Sequence, residues 1–233
     1  MIILTYNIHS GRGIDGRLSL SRIADVIRSS GADIACLQEV ERWMPWGRFT
    51  NQPKRLAELM QMDYVFQPNL SIGPSGFGNM VMSKYPILSS RSHRLPSRRE
   101  PRGLLEVEID TSAGAISIFN THWGLSKDER ALQSVETSAV ISAALNPIII
   151  CGDLNDGPES NSINSLISAA NLHDLAAESG SPAPTFPSHN PTSRIDFILG
   201  TEGIHASRAF VVDSFASDHR AVGTEFPSLV RMS

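Results

Sequence analysis

Eight polar residues stand where apolar runs end: Asn7, Glu39, His122, Asp153, Asn155, Asp196, Asp218 and His219. A rigid strand end can aim a side chain into a site more accurately than a loop can. Carboxylate and amide oxygens with few sulfurs suit a hard cation such as Mg²⁺, with Mn²⁺ as its substitute. Zinc would ask for His or Cys at short spacing, and the chain has neither His-x-x-x-His nor Cys-x-x-Cys. Two histidines and an arginine beside a hard cation would supply donors for phosphate oxygens. That combination points to phosphoryl chemistry. No glycine-rich P-loop is present, which argues against nucleotide-driven transfer.

The elements that must carry these residues can be read from apolar periodicity. Ile2–Ile8 reads as a buried strand. Ser19 reads as an N-cap before Leu20, Ile23, Ala24 and Ile27, one face of a helix that Gly31 ends. Asp33–Val40 reads as a second strand. Segments at Tyr64–Gln67, Gly78–Lys84, Ile87–Leu95, Gly103–Ile109 and Ala115–Thr121, separated by Pro and Gly, suggest hairpins. Ser126-Lys127-Asp128-Glu129 reads as a capping box opening a helix to about Leu145, followed by a strand over Pro147–Asp153. Ile163, Leu166, Ile167 and Ala170 mark a short helix, and Ser179–Thr192 a loop. Arg194–Leu199, Ala206–Val212 and Ala221–Phe226 read as closing strands. Two stretches share one form, a strand ending in Asn-x-His, a helix, then a strand ending in an acid: Asn7 to Glu39 and Asn120 to Asp153. This reads as an internal duplication that brings two sets of strand ends to one rim.

The 233 residues carry 20 Lys and Arg against 24 Asp and Glu, a net charge of −4, and 41% are hydrophobic. That balance excludes a disordered chain and one that holds nucleic acid mainly by overall charge. It suits a single domain over 1–233. Cys36 and Cys151 lie in apolar runs and read as buried thiols. The N-terminus lacks signal-peptide features and no apolar run nears the length of a membrane span, so a cytoplasmic location is expected. No obligate protein partner is implied.

In order along the chain, the segments Leu4-Thr5-Tyr6-Asn7-Ile8, Leu37-Gln38-Glu39-Val40, Gly78-Asn79 with Ser83-Lys84-Tyr85-Pro86-Ile87, Asn120-Thr121-His122, Gly152-Asp153-Leu154-Asn155, Arg194-Ile195-Asp196-Phe197-Ile198 and Ser217-Asp218-His219 resemble the endonuclease/exonuclease/phosphatase superfamily. This superfamily includes deoxyribonuclease I, abasic-site endonucleases, neutral sphingomyelinases and inositol polyphosphate 5-phosphatases. The resemblance implies a deoxyribonuclease I-like α/β fold: a four-layered α-β-β-α sandwich, two mostly antiparallel packed sheets flanked by helices. It implies Glu39 as principal metal ligand, with Asn7 beside it and Asp218 reaching the metal directly or through water. Asp153 resembles the residue that orients and deprotonates the attacking water, helped by Asn155. Asp196 would fix the tautomer of His219 and favour its protonated form, so that His219 stabilises the pentacovalent phosphate. His122 would be a second phosphate contact and proton donor to the leaving oxygen. Arg102 resembles a phosphate clamp, with Arg99 and Asn79 expected at the substrate.

Two segments bear on the substrate. Arg91, Arg94, Arg98, Arg99 and Arg102 form a local basic patch with a single acid, Glu100, suited to an anionic substrate or to pairing with surface acids. Trp43-Met44-Pro45-Trp46-Gly47-Arg48-Phe49 could stack on a base, touch lipid or pin a loop. Gln52, next to a helix whose apolar face is Leu56, Leu59 and Met60, would help to hold it. The opening Tyr6-Asn7-Ile8-His9 is unlike abasic-site endonucleases, and the long insertions of the inositol phosphatases are missing. The expectation is a metal-dependent phosphodiesterase on a small or lipid-linked phosphodiester. A nuclease on DNA or RNA is the alternative, and a non-catalytic binding module the remote one.

Overall fold

The computed structural model describes residues 1–180 and 183–227, so part of the loop expected over Ser179–Thr192 lies outside the described residues. Twelve strands are described: β1 Ile2–Asn7, β2 Ile34–Arg42, β3 Asp63–Ile72, β4 Ser75–Ser83, β5 Ile87–Leu95, β6 Arg102–Thr111, β7 Gly114–His122, β8 Ile148–Asp153, β9 Leu172–Asp174, β10 Asp196–Thr201, β11 Arg208–Val212 and β12 Ala221–Glu225. They form two six-stranded sheets, ordered β11-β12-β1-β2-β4-β3 and β5-β6-β7-β8-β10-β9. Each sheet has one parallel pair at its centre, β1 with β2 and β7 with β8, and its other pairs are antiparallel. The two strand orders match position for position, as a duplicated half would.

The helices are α1 Leu20–Ser30, α2 Gln52–Met60, α3 Lys127–Ile141, α4 Asn161–Ala169 and the single turn α5 Leu175–Glu178. Central strands are buried on both faces, which is why they read as continuous apolar runs rather than alternating ones. Their period of two then sorts them into three cores. Ile3, Cys36, Val107, Ile118 and Cys151 fill the layer between the sheets. Leu4, Leu37, Ile23 and Leu56 join the first sheet to α1 and α2. Phe119, Ile150, Ile141 and Leu166 join the second sheet to α3 and α4. The result is the four-layered sandwich, with both cysteines free and buried.

Local signals held where they rested on backbone chemistry. Ser19 Oγ accepts the Arg22 N–H at the start of α1, and Gly31 ends it at φ 73° in the left-handed region. The capping box at Ser126 does not form: its side chain makes no cap bond, and Glu129 instead accepts the Arg98 N–H at 2.5 Å. A carboxylate drawn to the β5–β6 loop cannot also reach back to its own helix start. The helix stops at Ile141, short of Leu145, where its last turn tightens: the N–H groups of Ala143 and Ala144 bond the carbonyls of Val140 and Ile141, three residues back. Only β9 and α5 had no counterpart in the sequence reading, being too short to show a period.

Candidate active site

The site is built at the ends of β1, β2, β7, β8 and β10 by one irregularity and one polar bridge. Pairing of β2 with β4 slips between Leu37 and Val40, and Glu39 inside that bulge takes φ 58°. A bulge re-aims one side chain, and a left-handed non-glycine residue stores strain that the surroundings must hold. Beneath it, Asn120 Nδ2 donates to the carbonyls of Leu37 and Met80, both at 2.9 Å, and its Oδ1 accepts from Gln38 Nε2 at 2.7 Å. These bonds from β7 of one sheet to β2 and β4 of the other satisfy backbone that the bulge frees and lock the sheets together.

Asp153 is the hub. Its Oδ2 lies 3.0 Å from Asn7 Nδ2, 3.4 Å from His122 Nε2 and 3.5 Å from His219 Nε2. Its Oδ1 accepts the backbone N–H of Asn155 at 3.0 Å. Asn155 thus helps through its main chain, while its amide is tied to the Trp123 carbonyl at 2.9 Å. On the far side of His219, Nδ1 meets Asp196 Oδ2 at 3.0 Å, and Thr185 Oγ1 donates to the same oxygen at 2.5 Å. Phe186 packs against the imidazole with ring centroids 4.8 Å apart. Asp153, Asp196 and His219 are almost fully buried.

Asn7 differs from its expected role. Its Oδ1 accepts the His9 N–H at 3.0 Å, which turns Nδ2 toward Glu39 Oε1 and Asp153 Oδ2, each at 3.0 Å. Asn7 therefore joins two carboxylates rather than presenting an oxygen to a metal. The duplicated Asn-x-His segments are also not equivalent: Asn7 lies opposite Gln38, and Asn120 opposite Cys151 with His122 opposite Asp153. Asn79 is corrected too. It is 1% exposed, and its Nδ2 donates at 3.0 Å to the Gly103 carbonyl between the sheets, away from any substrate.

Charges at the site follow from burial and neighbours. Burial pushes the Asp153 carboxyl up to about 7, with Asp196 adding to the rise and His219 and Asn7 opposing it. Burial works against charge on His219, yet Asp196, with Asp153 and Asp218 behind it, pushes the imidazole up to about 10. His122 goes the other way: burial, then the charges of Arg102 and His219, hold it well below its ordinary value. A neutral His122 offers a hydrogen bond at neutral pH, not the stored proton expected of a leaving-group acid. Arg102 is 8% exposed and pairs with Glu100 at 3.0 Å, whereas Arg99 is exposed at the mouth.

Glu39 and Asp218 are the carboxylates expected to hold a cation, although among the described residues the groups of three or more acids and histidines close enough to do so are Asp153–Asp196–His219 and His173–Glu178–His205. Burial pushes the Glu39 carboxyl up, Asp218 adds to this, and the Asn7 bond and His9 oppose it. Among the described residues no Lys or Arg pairs with either carboxylate; the partner of Asp218 is His9, at 3.6 Å. Two hard oxygen donors in mutual repulsion fit a hard dication. His9, Thr185, Phe186 and Ser217, whose Oγ donates to the Asn7 carbonyl at 2.8 Å, were not among the predicted site residues. His9 and Ser217 adjoin motif residues and so carried a signal; Thr185, in a Pro- and Ser-rich loop, carried none.

The model of the Endonuclease/Exonuclease/phosphatase family matches residues 4–219. The chain belongs to this family. YbhP of Escherichia coli K12 is 29% identical over 213 residues, 84% of this chain and 83% of YbhP. An endonuclease/exonuclease/phosphatase structure from Beutenbergia cavernae superposes with a TM-score of 0.83 at 26% identity, covering 96% of this chain and 70% of that one. A mannosyl-6-phosphatase of Bacteroides thetaiotaomicron shares the fold, with a TM-score of 0.80 at 19% identity over 98% of this chain and all of that one. Endonuclease/exonuclease/phosphatase proteins are phosphoester hydrolases that generally use divalent metals, and this chain is one of those hydrolases.

Proposed function

We propose that the protein is a Mg²⁺-dependent phosphodiesterase acting on a small or lipid-linked phosphodiester by in-line attack of water. The observation that carries this reading is the buried array Asn7–Asp153–His219–Asp196, in which a carboxyl lies between an amide donor and an imidazole that a second carboxylate orients. Asp153 receives a proton from the water whose oxygen attacks phosphorus. The protonated Nε2 of His219 donates to a phosphate oxygen, and it can pass its proton to the leaving oxygen as the old P–O bond breaks. Asp196 holds Nδ1–H and so keeps Nε2 turned to the site. His122 and Arg102 add donors to the phosphate. A hard dication held by Glu39 and Asp218 would supply Lewis-acid stabilisation of the charge that develops on phosphate.

The test is a Mg²⁺-supplemented panel of bis-p-nitrophenyl phosphate, p-nitrophenyl phosphate, plasmid, abasic duplex and phospholipid. The reading expects diester over monoester turnover, lost with chelator and in Asp153→Asn. Monoester preference, or turnover that survives Asp153→Asn, would overturn it. The nuclease reading has its own support in Arg98 and Arg99, whose guanidinium groups pair with no carboxylate among the described residues, the Glu129 contact of Arg98 being to its backbone N–H. A steep fall of substrate affinity with salt would favour it.

A further inference from the structure

The loop that follows Glu39 is built at a cost in backbone strain and spends that strain on exposing apolar side chains. Trp43, Arg48 and Phe49 all take φ of 56°, in the left-handed region that bulky residues avoid. The loop nevertheless has a fixed shape. Met44 is its buried anchor, and its carbonyl accepts the N–H groups of Gly47 and Phe49 at 3.1 and 2.9 Å. Gln52 clamps the base, donating to the Ser10 carbonyl at 2.7 Å and accepting the Glu41 N–H at 3.0 Å. The buried Glu41 carboxylate fills the space beside Gly47, where any Cβ would collide with it.

What this scaffold displays is Trp46, 49% exposed, and Phe49, 67% exposed, with Trp43 beside them. The turn between β3 and β4 extends the patch. Ser75 Oγ donates to the Trp43 carbonyl at 2.9 Å and Arg42 Nε to the Pro74 carbonyl at 3.1 Å, which brings in Ile72, 61% exposed. From Arg42 to Lys54 the chain has no acidic residue and carries Arg42, Arg48 and Lys54, in a protein whose net charge is −4. Arg12 reaches in to donate to the Trp46 carbonyl.

We propose that this patch docks the protein on an anionic phospholipid surface, so that the substrate of the Asp153 site is a phosphodiester presented at that surface. Tryptophans suit the headgroup layer, Phe and Ile the acyl boundary, and arginines the anionic headgroups. Ile72 separates this reading from single-stranded nucleic acid, because an aliphatic side chain gains from hydrocarbon and does not stack on a base as an aromatic does. The position is also right: the patch begins where β2 ends, just past Glu39 on the same strand, at the same rim as the site.

The substrate part of this inference rests on the phosphodiesterase reading; the docking part stands alone. The experiment is sedimentation of the full chain with vesicles of phosphatidylcholine alone or mixed with phosphatidylglycerol, read alongside intrinsic fluorescence. Two of the three tryptophans are in the loop and the third, Trp123, is buried, so a blue shift reports the loop. Binding is expected to mixed vesicles. Trp46→Ala/Phe49→Ala should weaken it at least about tenfold, the equivalent of 1.4 kcal/mol, and Arg48→Glu should weaken it only where phosphatidylglycerol is present. Hydrolysis of soluble bis-p-nitrophenyl phosphate by both variants should stay within about twofold of the parent, which also shows that they fold. No vesicle binding, equal binding by the double variant, or a fluorescence response to single-stranded oligonucleotide but not to vesicles would each overturn the docking. Vesicle binding without any diester hydrolysis by the parent would sink the phosphodiesterase reading instead, and with it the substrate assignment.

Discussion

Asp196→Asn is the most informative single change, because it removes charge while keeping shape. The substituted amide would still meet Thr185 and His219, but the largest force opposing the burial that disfavours a charged imidazole would be gone, leaving only Asp153 and Asp218. At pH 8 an imidazole titrating near 10 is about 99% protonated, and one at its ordinary 6.5 about 3%. The charged pool of His219 therefore falls roughly 30-fold at pH 8, and by less than about twofold at pH 6. Burial pulls the group further down while Asp153 and Asp218 hold it up, so the roughly 30-fold figure is the loss for an imidazole returned to its ordinary value. The assay is kcat/KM for bis-p-nitrophenyl phosphate from pH 6 to 9 at saturating Mg²⁺, with the His219 ring proton followed by NMR. The variant should approach the parent at low pH and fall away as pH rises. A loss of equal size at every pH, or a parent His219 that titrates at its ordinary value, would refute the charge argument and leave Asp196 a merely structural role.

Stability of the metal-free protein should fall as pH rises from about 7 to 10, above the range in which the lowered His122 works in the opposite direction. The raised Asp153 disfavours the fold once pH climbs from about 4 to 7, and the raised His219 loses its contribution between about 6.5 and 10, both groups holding more protons folded than unfolded. Thermal melts in chelator check this, and a melting point that rises from about pH 7 to 10 would contradict it. Asn120→Ala should cost about 2–5 kcal/mol in urea unfolding, since it removes the side-chain donor to the buried carbonyls of Leu37 and Met80, while Gln38 keeps Thr5 and the Cys36 carbonyl as partners; a cost under about 1 kcal/mol would mean the sheets do not depend on it. Ser160→Ala should cost about 1 kcal/mol, because its side chain accepts the Ile163 N–H, while Ser126→Ala should be near neutral. Equal costs in the two would show that Ser126 does cap its helix in solution.

The contrast between Ser19 and Ser126 shows what a sequence can reveal. Both have the residue type of a cap, but the box at Ser126 loses Glu129 to a loop far earlier in the chain, and no local pattern records that competition. The same holds for the amides. Asn7, Asn79 and Asn120 are equally polar strand residues, and which one faces the site depends on the bulge at Glu39 and on the facing sheet, both long-range facts. Asp153, Asp196, His122 and His219 drew notice jointly, as acids and histidines beside apolar runs, since any one of them alone could as well be bonded to a loop. Thr185 was invisible, since a threonine in a Pro- and Ser-rich stretch has many reasons to be there. The charge state of His122 belongs to the same class, being set first by burial and then by Arg102 and His219 rather than by its own neighbours in sequence.

The first sheet draws its strands from both ends of the described chain, with β11 and β12 pairing beside β1 and the Met1 N–H bonding the Phe226 carbonyl. The second sheet uses one unbroken stretch, from β5 to β10. During synthesis the second sheet can close while the first still waits for its outer strands. Asp153 and Asp196 leave the ribosome well before Asp218 and His219 do. The order of emergence thus makes β12, with Asp218 and His219 just before it, the last of the site's pieces to be set beside β1.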